Sequence, residues 1–145
     1  MSTKKSTIPT GNGSESKTDS NGVKLMTYQI FVKTRSKVIL PDHISGVAKK
    51  HLKLRNAQSG VFEVEVVSQD RIRRINKEFR SLDKPTDVLS FPVAEFPGRE
   101  KLYGTIFLCS DIIKLNAKES GKTFKAEFDF ILTHGLDHLL GIHHK

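Results

Sequence analysis

The sequence predicts an α/β (α+β) fold: a single domain with a mixed sheet of about four strands, helices packed on it, and a candidate metal-binding helix at the C-terminus. Three observations lead there. Segments with strand-like alternation and segments with helix-like periodicity follow one another along the chain, with no internal repeat. The 145 residues suffice for one domain with a core, and 37% hydrophobic with 28% charged residues is an ordinary composition for such a domain. No stretch of apolar residues is long enough to span a membrane, and a single cysteine, Cys109, excludes an intrachain disulfide and suits a reducing compartment.

Residues 1–25 are rich in Ser, Thr, Gly, Asn and Lys and hold no aromatic residue, so they are expected to be a disordered tail preceding a domain over 26–145. They carry neither a secretory signal nor an arginine-rich transit pattern. "TYQIFVKT" predicts the first strand and "PDHISGVAKKHLKLRN" a helix with Asp42 as N-cap. "GVFEVEVVS" alternates and is rich in β-branched residues, which predicts a strand. "SQDRIRRINKEFR" predicts a helix capped by Ser68, with Ile72, Ile75 and Phe79 on its buried face. After the loop "SLDKP", the short strand "TDVLSFP" stops at Pro92, "VAEFPGREKL" is a loop, and "YGTIFLC" is a strand. Ser110 is expected to cap "DIIKLNAKE", Gly121 to end it, and "TFKAEFDFILTHGLDHLLG" to form the last helix.

The net charge is +8, from 24 Lys and Arg against 16 Asp and Glu. Such a balance suits a polyanion, although a solvated basic surface explains charge alone equally well. The cations do cluster, in "KKHLKLR" and in "RIRRINKEFR".

The last helix carries His134 and His138 at i and i+4, on one face, beside an apolar stripe of Phe124, Phe128, Leu132 and Leu139. Gly141 stands where a left-handed C-terminal residue turns the chain, which brings His144 back toward the pair. Three imidazoles so placed can hold a zinc-like ion and leave one position for water, the arrangement of catalytic sites. The spacing H-x-x-x-H-x-x-G-x-x-H is that of metzincin proteases, whose glutamate base directly follows the first histidine. Here that position is Gly135, which cannot take a proton, and Asp137 is expected to point away from the site. The metal therefore stands and the peptidase does not.

Upstream lies "INKEFRSLDKPTDVLSFP", and with "YGTIFL" and "THGLDHLLGIHH" it resembles the YbeY family of metal-dependent endoribonucleases over roughly Met26 to His144. The resemblance implies activity on ribosomal RNA, in the maturation of the small subunit and in ribosome quality control. It implies that His134, His138 and His144 bind one zinc ion with a water, and that Arg80, closing "NKEFR", is the functional arginine beside the strand Thr86 to Pro92. Phosphodiester cleavage builds charge on the phosphoryl oxygens, which a guanidinium can clamp bidentately and a metal can polarise. Arg71, Arg73 and Arg74 are assigned to the RNA backbone or to solvent, Phe91 to the core, and Ser90 to a bond with either substrate or backbone.

The chain departs from the family pattern at four places. His143 stands where the family has an acid before the last histidine, Thr105 where an acid follows the strand glycine, and Asp137 where a leucine packs. Family members usually continue beyond Lys145 with an acidic helical segment, so His144 is expected on a terminus that the metal holds in place. The expectation is a zinc-dependent endoribonuclease acting on ribosomal RNA, with RNA and the ribosomal small subunit as partners and neither membrane nor DNA. The alternative is a catalytically weakened RNA- or ribosome-binding assembly factor. The expected compartment is the cytoplasm, or else a mitochondrion or other organelle.

Overall fold

The structure, a computed structural model, describes residues 17–92 and 101–143. The described elements follow in the order β1 (Lys17–Thr18), β2 (Lys24–Leu25), β3 (Tyr28–Lys33), α1 (Pro41–Leu54), β4 (Gly60–Val67), α2 (Gln69–Arg80), β5 (Val88–Pro92), β6 (Lys101–Cys109), α3 (Ser110–Glu119) and α4 (Phe124–Leu139). The main sheet has four strands in the order β3-β4-β6-β5. β3 and β6 flank β4 in parallel, and β5 closes the edge antiparallel to β6. The expected mixed sheet is therefore present.

Side-chain alternation along the central strands splits the core in two. Phe62, Val64 and Val66 of β4 join Ile106 and Leu108 of β6 on one face, under Ile44, Ala48 and Leu52 of α1, Ile113 of α3, and Phe128, Leu132 and Leu136 of α4. The adjacent residues Val67 and Cys109 turn to the other face, where Ile72 of α2 and Leu89 of β5 meet them. Phe79 departs from the expected buried face of α2. It is 59% exposed, with one edge against the Phe91 ring at 5.4 Å.

In the segment expected to lack structure, residues 17–25 instead form a small antiparallel ribbon of β1 and β2. Asp19 explains it locally: its carboxylate accepts the amides of Asn21 and Val23, each at 2.8 Å, and Gly22 takes the left-handed turn position at φ 81°. Two expected caps move, by two positions at α1 and by one at α3. α1 starts at Pro41 with Leu40 as N-cap, because proline suits the first helical residue, and Asp42 instead places its charge in the first turn. α3 has Cys109 as its N-cap, so Ser110 is already helical. Ser68 and Thr123 do cap α2 and α4, accepting the amides of Arg71 and Ala126 at 3.2 and 3.1 Å.

α1 and α4 lie side by side in one register. His43 Nε2 donates to Asp129 at 2.8 Å and His51 Nε2 to Asp137 at 2.7 Å, both pairs 86 residues apart in sequence. A constant offset over two helical turns means that the helices run parallel.

Candidate functional site

α4 is wedged between α1, α3 and the β5–β6 edge, so little of it reaches solvent, and His134 and His138 lie on that accessible strip. Their rings sit 4.8 Å apart at 62°, one half-buried and one exposed. The Phe130 ring, one turn earlier, stacks on His134 at 6.4 Å.

The helix ends as the sequence requires. Gly141 has φ 80°, its amide donates to the His138 carbonyl at 3.1 Å, and the Ile142 amide donates to the Asp137 carbonyl at 2.8 Å. These two bonds make a Schellman motif, which satisfies the last helical carbonyls and reverses the chain. It brings the His143 ring to 5.4 Å from His138. His144, the expected third ligand, lies outside the described residues, and among the described residues no group of three potential ligands is placed to hold a metal ion. What is described suits two ligands of a tetrahedral zinc site: neighbouring imidazoles on one face, open to solvent, with the chain turning back beside them.

Gly135 is the point where α4 touches the sheet. A Cβ there would lie 3.2 Å from Ile106 Cγ2, Ser90 Oγ and Val88 Cγ2. A side chain at this position would push the helix off β5 and β6, so the glycine is a packing requirement as well as the absence of a protease base. Ser90 donates its hydroxyl to the Gly135 carbonyl at 3.2 Å, so of the two roles open to it the structure shows the backbone bond.

Arg80 reaches the same strand. Its guanidinium donates to the Ser90 carbonyl at 3.0 Å and lies 4.8 Å over the Phe91 ring. The backbone of Ser90 thus takes Arg80 on one side while its side chain holds α4 on the other. Phe91 packs against Phe79 and Phe107, as a core assignment requires, and also seats the guanidinium. Arg80 closes α2, where Ser81 adopts φ 60° as C-cap. Asn76 is buried and donates to the Lys84 carbonyl at 2.9 Å, which fixes the loop carrying the chain from Arg80 to β5.

Two departures from the motif have structural answers. Asp137 does not point into solvent. It is 3% exposed and accepts Arg55 Nε and Nη2 at 2.9 and 2.8 Å, besides His51. The packing that a leucine would supply is replaced by a bidentate ion pair to Arg55 at the end of α1, and α1 is the partner that the sequence does not reveal. Thr105 donates to Glu63 at 2.9 Å across β4 and β6. Gly104, just before it, has φ 146°, and a Cβ there would lie 2.2 Å from the Phe91 carbonyl, so no other residue fits where β5 crosses this position. Cys109 is buried, and burial raises its thiol pKa, so it is a core residue and no nucleophile.

The model of the family described as endoribonuclease YbeY matches residues 29–145. The endoribonuclease YbeY of Aquifex aeolicus is 31% identical over 125 residues, covering 86% of this chain and 83% of that protein. That of a Sulfurihydrogenibium species is 36% identical, covering 90% and 84%. That of Thermotoga neapolitana is 37% identical over 106 residues, but this match spans only 64% of its length. Among solved structures, the solution structure of TM1509 from Thermotoga maritima is similar at a TM-score of 0.58 and 31% identity, over 82% of this chain and 75% of that one.

Proposed function

This chain belongs to the endoribonuclease YbeY family, and from that premise we propose that it is a zinc-dependent endoribonuclease acting on ribosomal RNA. The observation that carries the reading is a chain of contacts through β5: the Arg80 guanidinium donates to the Ser90 carbonyl, and the Ser90 hydroxyl donates to the carbonyl of Gly135, the residue that follows His134 on α4. A phosphodiester lying over β5 would find an arginine on one side and imidazoles on the other.

His134, His138 and His144 hold the ion in this reading. Bound zinc supplies a Lewis acid and acidifies water toward neutral pH. Arg80 keeps its remaining N–H groups for two phosphoryl oxygens, since one of them is used on the Ser90 carbonyl. Held at the developing charge, such a donor is worth about 3 kcal/mol of barrier. Ser90 keeps α4 seated, and the Schellman turn sets the direction in which the chain leaves His138. Ribosomal RNA of the small subunit, a part in ribosome quality control and a cytoplasmic setting complete the proposal. The relatives' names support the cutting of RNA, and the net charge of +8 suits a polyanion.

Cleavage of a structured small-subunit RNA fragment by the purified chain, by His138→Ala and by Arg80→Ala tests this. Both variants are expected to lose at least about a hundredfold in rate, since each removes a charge-stabilising group. Equal cutting by all three overturns the assignment. Tight RNA binding without cutting by the unsubstituted chain favours the alternative, a binding factor with a weakened site.

A further inference from the structure

We propose that the crevice at the carboxyl ends of β3 and β4 is a second RNA-phosphate subsite, set apart from the histidine face and reached from it along α2. This inference rests on the RNA reading above and specifies where the strand is held.

The topology opens the crevice. β3 and β4 run parallel, and their pairing ends at Lys33 and Glu65, two residues before β4 itself stops at Val67. The chain then leaves β3 for α1 on one face of the sheet and leaves β4 for α2 on the other. Where neighbouring strands send their chains to opposite faces, the carboxyl ends stay uncovered, and such crevices bind ligands in open α/β sheets. Here the cavity has a volume of about 270 Å³.

Its lining is cationic. Lys33, Arg35, Arg71 and Arg74 surround it, with Glu65 as its one acid. Glu65 lies 4.0 Å from Lys33 and 3.6 Å from Arg71, so a single carboxylate is shared by two cations. Arg35 and Arg74 have no carboxylate within ion-pair distance among the described residues. Ser68, the N-cap of α2, also lines the cavity, so the positive end of that helix dipole adds to the same field. Four cations converging on one cavity with one acid leave a net positive site that an anion completes.

RNA is the anion the geometry favours, because the positive charge continues. Arg71, Arg73, Arg74, Lys77 and Arg80 are all exposed on α2, and Asp83, which pairs with Arg73 and Lys77, offsets one of these five charges. Arg71 and Arg80 are nine residues apart, about 14 Å along the helix axis. A strand bound at Arg80 would meet the crevice after a few nucleotides. Contacts of this kind read no bases; they set the register of the strand over the reacting phosphate.

The test is equilibrium binding of a fluorescein-labelled small-subunit RNA hairpin to the full chain, by anisotropy, across a range of salt concentrations. Arg35→Gln with Arg74→Gln is expected to weaken binding about tenfold near 0.1 M salt and to flatten the salt dependence by one to two phosphate contacts, at about 0.7 to 0.9 in slope for each. Arg35→Lys with Arg74→Lys should keep the salt slope, since the charge remains. Lys114→Gln with Lys118→Gln on α3 removes the same charge elsewhere and should leave binding unchanged. All of these side chains are exposed, so the melting temperature should not move. Unchanged affinity and slope in the glutamine pair, with RNA cleavage intact, overturns the subsite and spares the ribonuclease reading. No salt-dependent RNA binding by the unsubstituted chain overturns both. Displacement of the hairpin by inorganic phosphate at an equal concentration overturns the RNA subsite in favour of a free-phosphate site.

Discussion

Asp137 is buried next to His138, and its cost depends on which partner is removed. Arg55 keeps 37% of its side chain in solvent, whereas Asp137 keeps 4%. Arg55→Ala takes both guanidinium bonds from a buried carboxylate and should be the more destabilising change. Asp137→Leu leaves two side chains that water can reach and restores an apolar residue, so it should cost less than about 1 kcal/mol. Urea unfolding of both variants checks the asymmetry; equal losses would contradict it. At Gly135 the argument is steric. Gly135→Ala should cost about 1 to 3 kcal/mol, because three atoms at 3.2 Å must give way together. The histidine spacing and the glycine were legible in the sequence at this scale. The Asp137 clamp was not, since its partners lie 82 and 86 residues away and a helical wheel carries no information about another helix.

At the scale of elements, the C-terminal turn of α4 decides where His143 goes. Gly141 holds φ 80° there, a conformation costing an L-residue about 1 kcal/mol. Gly141→Ala should therefore weaken zinc binding by about fivefold to tenfold, measured by competition with a chromophoric chelator, while RNA binding stays the same. Zinc affinity unchanged by the substitution would separate the turn from the site. Periodicity predicted this helix and its glycine stop correctly. It placed the α1 cap two residues late and the α3 cap one residue late, because Asp and Ser are favoured as caps, and the competing signals, Pro41 and the end of β6, win locally. Phe79 was misassigned as well: helical spacing put it on the buried face of α2, but in the last turn of that helix it meets the Phe91 ring by an edge and stays largely exposed.

For the whole molecule, the order β3-β4-β6-β5 has a consequence for the core. Cys109 ends β6 under α2, in the smaller of the two clusters, with 0% exposure. Its modification by a thiol reagent should follow the opening of that cluster, and it should slow about in proportion when urea is removed. Immediate labelling of the folded protein would contradict the packing described. Strand order was not legible, since local pattern tells that a segment is a strand and not which strand it meets; the β5 reversal in particular follows from a loop whose conformation Asn76 fixes through Lys84. The basic balance of the chain was legible, but the crevice that concentrates it arises only when β3 and β4 end side by side.

The central claim is that the histidine face and Arg80 together cut RNA through a bound zinc ion. Its most direct test is a zinc titration of metal-free protein, following bound metal and single-turnover cleavage of the small-subunit RNA fragment in the same samples. Cleavage is predicted to rise with bound zinc and to level off at about one equivalent, as a single three-histidine site requires. Full cleavage by the metal-free protein, or one bound equivalent with no gain in cleavage, would contradict it.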